Sequence, residues 1–445
     1  MSSLLTFAAS RRAKWLIALV WVAAMAAILA GNLPKKFMDA EKNESSSFLP
    51  GNAESTRALE KTKRLEGGEK AAIVVVYHRD GGLKITDRRH INKDRAELNK
   101  LGLPHTSRFT LQVKSKDKTT AIYQAQITIS GDSKRITDVV DAIRTRVSDP
   151  GGGLEVKVTG AAGYSADAIK VFNNIDGSLL LAGFGLVLVL LILIYRSPIF
   201  WLIPIFAVAF AELATRGIGY LLTQAGVTVN GQSSGILSVL VLGAGTDYAL
   251  LLVARYREEL RKTEDKHTAM KRALGSAGPA IFASGLTVIA ALLCLTLAEL
   301  NGTAGLGPIG AMGIAVAMIA MLTLLPALLV IFGRRAFWPF IPRMGGESSD
   351  ETHGFWRRTG DKVAARPRRV VLVTTVLLLV MSAGLANFSD GLTSGNSFRD
   401  DVESVAGQKL IEQGFPAGTN APTEIIVPDA PRADAVRAAV ARVPG

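Results

Sequence analysis

Seven stretches of this chain are apolar for long enough to cross a bilayer: about 15–33, 176–195, 199–221, 234–254, 277–298, 304–332 and 370–388. A spanning helix needs roughly 20 such residues. In hydrocarbon every backbone N–H and C=O must also be satisfied within the protein, so each segment has little choice but to be helical. The pattern predicts a polytopic α-helical membrane protein. Composition agrees: 49% of the 445 residues are hydrophobic, although 51 are basic and 38 acidic. That mixture suits spans with soluble insertions better than a soluble enzyme.

The basic residues set the orientation. Arg11, Arg12 and Lys14 precede the first segment, and Arg196 lies in the turn between the second and third. Seven Lys and Arg from Arg255 to Arg272 follow the fourth, and nine from Arg334 to Arg369 fill the gap between the sixth and seventh. The loops 222–233 and 299–303 contain none. The positive-inside rule then places the N-terminus in the cytoplasm of a plasma-membrane protein, with every loop alternating consistently. Much of the net charge of +13 is topological signal, plus attraction to anionic headgroups. Membrane lipids are therefore expected partners, and nucleic acid is not. The first segment also has the form of a signal peptide, with Arg11-Arg-Ala-Lys14, an apolar core and Ile28-Leu-Ala-Gly31 as the cleavage site. Its length, and an echo further along the chain, favour a retained span.

That echo is the start of a repeat. Arg11-Arg-Ala-Lys14, a span, then Ser46-Ser-Phe-Leu-Pro50 is matched in order by Arg368-Arg369, a span, then Asn396-Ser-Phe-Arg-Asp400. β-prone runs follow at 72–77 and 423–427. A six-span unit is even, so a second copy enters with the same orientation, and parallel repeats of this kind are a known transporter architecture. The expected layout is a cytoplasmic N-terminus and first span (1–33), an extracytoplasmic α/β domain (34–175), five spans (176–333), a cytoplasmic linker (334–369), a seventh span (370–388), and the start of a second extracytoplasmic domain (389–445). The chain reads as the first part of a longer protein.

Within 34–175 the pattern is mixed: strands at 71–77, 109–113, 119–130 and 154–159, helices at 86–101 and 133–147, and a turn at 149–153. The order β-α-β-β-α-β is that of a split βαβ, ferredoxin-like layout. The linker reads as solvated, amphipathic just before the seventh span, with the aromatics of Trp338-Pro-Phe-Ile-Pro342 at headgroup level.

One residue stands out inside a span. Asp247 lies in the fourth segment, in Gly243-Ala-Gly-Thr-Asp-Tyr248. An ionisable group at that depth costs about 2.5 kcal/mol or more to insert, so it is a functional hypothesis by default; the plainer reading is a polar contact between helices. Desolvation raises a carboxylate's pKa, which would let Asp247 exchange a proton. Gly243 and Gly245 are expected to let a neighbouring helix approach closely. Tyr248 points about 100° away from Asp247 on a helix, so each needs a partner from elsewhere. In the fifth segment, Ser284 and Thr287 either donate to a carboxylate on the next helix or bond back to their own backbone.

Other polar residues in or near the spans carry plainer expectations. Glu212 and Arg216, at i and i+4 in the third segment, read as a pair in which Arg216 snorkels to the outer interface. The lone Cys294 excludes a disulfide and is expected to be buried as a small apolar residue. The five histidines show no metal-ligand spacing, and no Gly-Lys-Ser/Thr phosphate loop is present. No cofactor or metal is expected, and no enzymatic activity; nothing in 34–175 reads as a substrate-binding pocket.

Asp247-Tyr248 after a glycine pair, followed by Arg255-Tyr-Arg-Glu-Glu-Leu260, resembles the MMPL (mycobacterial membrane protein large) branch of the resistance-nodulation-division superfamily. So does Gln224-Ala-Gly-Val-Thr-Val-Asn-Gly-Gln-Ser-Ser-Gly235. The resemblance covers the whole chain. It implies a six-span repeat plus a seventh span, with the inserted α/β domain acting as a porter domain. It further implies export of lipids or other hydrophobic molecules driven by the proton gradient, with H+ as coupling ion. Asp247 and Tyr248 match the family's proton-relay positions, and Ser284 looks like the hydroxyl of that relay. The family's reciprocal Asp-Tyr, on its tenth span, lies beyond this chain. Rival expectations are a lipid- or sterol-sensing receptor and an accessory factor for protein translocation. A homo-oligomer and accessory cell-envelope proteins are both admissible.

Overall fold

The computed structural model of the protein describes residues 9–42, 50, 52–66, 68–129, 133–147, 151–195, 197, 200–339, 341–342, 353–387, 402–416, 425–427 and 430–442. The motif starts at 46–49 and 396–401 lie outside these residues, as does Arg196. Among the described residues, six helices are long and apolar enough to cross a membrane, and the chain is a polytopic helical membrane protein.

The helices of the bundle are α1 (Ala13–Ala30), α7 (Leu202–Gln224), α8 (Gly231–Lys262), α9 (Lys266–Cys294) and α10 (Asn301–Phe332). Their starts follow local chemistry. The Asn230 side chain caps α8 by accepting from the Ser233 N–H at 2.8 Å, and Asp265 caps α9 by accepting from the N–H groups of His267 and Thr268. Pro279, Pro308 and Pro326 sit inside α9 and α10, where neighbouring helices can satisfy the freed carbonyls. The most buried helix is α10, which packs against α1, α7, α8 and α9. Trp21 of α1 donates its indole N–H to the Thr323 hydroxyl at 3.2 Å.

Loops of like charge gather at the same end. At the basic end, His267 meets the Ala9 carbonyl at 2.8 Å, Arg334 donates to the carbonyls of Thr263 and Pro342, and the rings of Phe200 and Phe337 stack at 4.3 Å. Trp338 is exposed there. The charge-poor loops meet at the opposite end, where the Lys42 N–H donates to the Val229 carbonyl at 2.8 Å and Pro50 bridges Leu300. The short helix α2 (Leu33–Asp39) drives the buried Phe37 against Gly219 of α7 at this end.

Between α2 and the bundle the chain forms α3 (Glu54–Glu66), β1 (Glu69–His78), α4 (Ile85–Lys100), β2 (Thr110–Lys114), β3 (Thr120–Ile129), α5 (Ser133–Arg146) and β4 (Glu155–Thr159). The four strands make one antiparallel sheet in the order β2-β3-β1-β4. Ile73, Val75 and Tyr77 of β1 point to one face, under Ile91 and Leu98 of α4 and Val140 and Ile143 of α5. Val74 and Val76 point to the other.

That second face is covered from far along the chain. Leu410, Ile411 and Phe415, in and just after α13 (Glu403–Gly414), pack on Val74, Val76 and Ile122. Region 389–445 thus sends a helix onto the first sheet, while Ile425–Val427 carries no strand. Polar contacts pin the helix start: the Val158 N–H donates to Glu403 at 2.8 Å, the Ser404 N–H to Asp167 at 3.0 Å, and the Thr159 hydroxyl to the Ser404 carbonyl at 2.7 Å. Between these segments, α11 (His353–Ala365) and α12 (Pro367–Ser382) follow the bundle, and α12 has no buried residue. A final short helix, α14 (Ala433–Val440), closes the described chain.

The sheet passes directly into the 36-residue helix α6 (Gly160–Tyr195), which contains the apolar segment 176–195. Gly160 makes the joint. Its φ is +86°, and a Cβ there would lie 2.6 Å from the Ala72 carbonyl oxygen. Gly160→Ala should therefore destabilise the sheet domain by about 1–3 kcal/mol, from left-handed strain together with the clash. A thermal melt matching that of the unaltered protein would contradict this.

Candidate functional site

Asp247 sits near the middle of α8, about 24 Å from its Gly231 end at 1.5 Å per residue. The residue is exposed and lines an open cleft of about 450 Å³ between α8 and α9, floored by Ile314 of α10. The same cleft is lined by Tyr248, Ser284 and Gly243, with apolar side chains such as Leu251 and Val288 around them. The three residues expected to act together are thus brought to one cavity. Tyr248 is buried, and its hydroxyl interacts with the Ser284 side chain. Among the described residues Asp247 has no hydrogen bond or ion pair. Its carboxylate faces the open side, away from the packed core.

The Ser284 and Thr287 alternatives separate here. Thr287 bonds back to its own helix, donating to the Ala283 carbonyl at 2.9 Å, whereas Ser284 turns to the cleft. Gly285 was not singled out in the sequence, although it follows Ser284 directly. A Cβ at Gly285 would meet Met318 Sδ at 2.7 Å and the Tyr248 hydroxyl at 3.3 Å, so its missing side chain makes room for the phenol.

Three sequence expectations are corrected. Gly245 packs closely, with Val208 of α7 at 3.0 Å from where its Cβ would stand, but Gly243 has nothing within 4 Å and opens onto the cleft. Successive helical residues are about 100° apart, so two glycines two positions apart cannot face one neighbour. Arg216 does not snorkel. Its Nε donates to Glu212 Oε1 at 3.1 Å and its Nη2 reaches across to the Ser238 hydroxyl of α8 at 2.8 Å. A partner on the next helix outcompetes the interface. Cys294 is exposed on the outside of the bundle rather than buried; an apolar side chain in a spanning helix can face lipid at no cost, so its chemistry does not select the interior.

No group of three or more His, Cys, Asp or Glu positioned to hold a metal occurs among the described residues.

A helical bundle with an ionisable residue halfway along an apolar helix, beside an open cleft, defines the class of polytopic membrane proteins with an intramembrane polar site. The chain belongs to the MMPL family, whose model matches residues 47–370. It is similar to ActII-3 of Streptomyces coelicolor, 40% identical over all of this chain and 62% of that protein. It also resembles the apo-petrobactin exporter of Bacillus anthracis, 33% identical over 94% of this chain and 61% of that protein. The sulfolipid-1 exporter MmpL8 of Mycobacterium tuberculosis is 30% identical over 94% of this chain and 38% of its own length. The chain thus spans less than two thirds of each of these relatives.

Proposed function

We propose that this chain contains the first repeat of an exporter of lipids or other hydrophobic molecules driven by the proton gradient, with Asp247 as the proton-binding group. The observation that carries this reading is a carboxylate at mid-helix, unpaired among the described residues, in a cleft it shares with Tyr248 and Ser284. A charged carboxylate at that depth must be solvated or paired, whereas a protonated one tolerates an apolar neighbour. Proton uptake therefore changes which helix arrangement is cheaper, and a two-state bundle is biased by that difference alone. Tyr248 and Ser284 position the hydrogen bonds that receive or release the proton.

In this reading the basic end of the bundle faces the cytoplasm and the sheet domain lies outside, as a porter domain that handles cargo. Segment 176–195 of α6 and helix α12 both cross the membrane, and the open side of the Asp247 cleft receives the second repeat. A relative named as a sulfolipid-1 exporter supports a lipid cargo, and one named as an apo-petrobactin exporter supports export as the activity.

The test is efflux of a fluorescent lipid from proteoliposomes containing the full-length protein. Transport should require an imposed pH gradient and stop when a protonophore collapses it. Equal transport with and without the gradient would remove the proton from the mechanism and leave lipid binding alone.

A further inference from the structure

A second polar site lies on the far side of α8 from Asp247. Here α6 and α7 both pack on α8 and leave a cleft of about 370 Å³ between them. That is at the lower end of the roughly 300–1,000 Å³ of small-molecule pockets. Its walls are apolar, with Leu181 and Phe184 from α6 and Val208 and Ala209 from α7. At one end stand Glu212, Arg216 and Ser238, closed into a triangle. Arg216 donates to Glu212 Oε1 and to the Ser238 hydroxyl, and that hydroxyl donates to the same Glu212 Oε1 at 2.6 Å.

The triangle is incomplete in one respect. Both bonds that reach Glu212 end on Oε1, and its Oε2 is sealed from solvent with no hydrogen-bond donor among the described residues. A helix-pinning ion pair does not require this, since a bidentate guanidinium would satisfy both oxygens. Depth matters too. Glu212 lies about 15 Å from the Leu202 end of α7, and Ser238 about 10 Å from the start of α8, well inside the bilayer. Water is scarce at that depth, and buried polar groups without partners are seldom left so. The terminal carboxylate torsion is soft, so a small turn presents Oε2 to the cleft.

We infer that the α6–α7–α8 cleft binds a bilayer amphiphile through a head that carries an O–H or N–H donor. The apolar walls take the chain, and the head donates to Glu212 Oε2 while its own oxygen or counter-anion meets Arg216. Charge complementarity selects hydroxyl or ammonium heads over ethers and esters, which have no donor for Oε2. The site is separate from Asp247 and needs no gradient to fill.

Native mass spectrometry of the full-length protein tests this in an amine-oxide detergent, which has no O–H or N–H of its own. Octadecanol and octadecylamine should load about tenfold or more above octadecyl methyl ether, the discrimination expected of a site whose buried acceptor is left unpaired by the wrong ligand. Ala209→Trp fills the cleft from its apolar wall without touching the triangle, and it should abolish loading while the thermal melt stays unchanged. Asp247→Asn should load normally, so failure here is distinguishable from failure of the proton-drive reading. Equal loading of alcohol and ether, or loading undiminished by Ala209→Trp, would overturn the assignment.

Discussion

Asp247→Asn in the full-length protein should reduce gradient-driven transport to the level of protein-free vesicles while leaving the protein folded and inserted. Asparagine keeps the shape of the side chain but cannot take up and release a proton near neutral pH. The folded state should scarcely notice: Asp247 is exposed to an open cleft and has no partner among the described residues, so its replacement should change stability by no more than about 0.5 kcal/mol. Tyr248→Phe is the informative companion. It keeps the buried ring and loses only the hydroxyl that interacts with Ser284, at most about 1 kcal/mol, so partial transport is expected. Parallel efflux and melting curves check both variants. Full transport by Asp247→Asn would end the assignment of the carboxylate as the proton carrier.

Arg144→Ala should destabilise the sheet domain by about 3–5 kcal/mol, the cost of breaking a buried pair and leaving its partner charged. Arg144 makes two bonds to Asp167, at 2.6 and 2.9 Å, and an ion pair with Glu403 at 3.1 Å. The Asp167 side chain is 6% exposed, so its charge has no recourse to water. Because Asp167 and Glu403 also hold the first residues of α13, that helix should undock first. Hydrogen exchange at 403–414 would then rise ahead of exchange in β1 and β3. Unchanged protection of α13 in the variant would contradict this.

Acid should act on the same network. Burial pushes the Asp167 carboxyl up, but the hydrogen bonds from Arg144 and Ser404 outweigh it and hold it below the usual carboxylate range. A group whose folded-state pKa is depressed contributes its stabilisation above the unfolded value, near 3.9, and loses it as pH falls through the lower folded value. Docking of α13 should thus persist at about pH 5 and fail only in stronger acid. Without Arg144 the depression goes, and the loss should move to higher pH.

Much of the fold could be read from periodicity. The segment 234–254 lies inside α8, 304–332 inside α10, and the strand pattern at 71–77 inside β1, because each signal is set by neighbours within a few residues. β1 is buried on both faces, and its unbroken apolar run is the sequence trace of that. The run does not say what covers the second face. Leu410, Ile411 and Phe415 look like the apolar stripe of any amphipathic helix, and nothing in their spacing names Val74, Val76 and Ile122, far earlier in the chain. The site divides the same way. Asp247 was conspicuous through cost alone, since a charge in hydrocarbon needs a reason. Ser284 became its neighbour only when α9 packed against α8.

By itself, then, the sequence determined which segments are long apolar helices, which end of the bundle carries the basic loops, and that a carboxylate lies halfway along α8. These follow from local hydropathy and charge, which act over the length of one helix. Only the tertiary structure decided that Gly245 packs while Gly243 opens a cleft, that Arg216 turns inward to Ser238, and that α13 closes the first sheet. Each of those outcomes depends on which faces of distant elements meet. That choice is made by packing and by the satisfaction of buried polar groups over the whole molecule, not by any one segment.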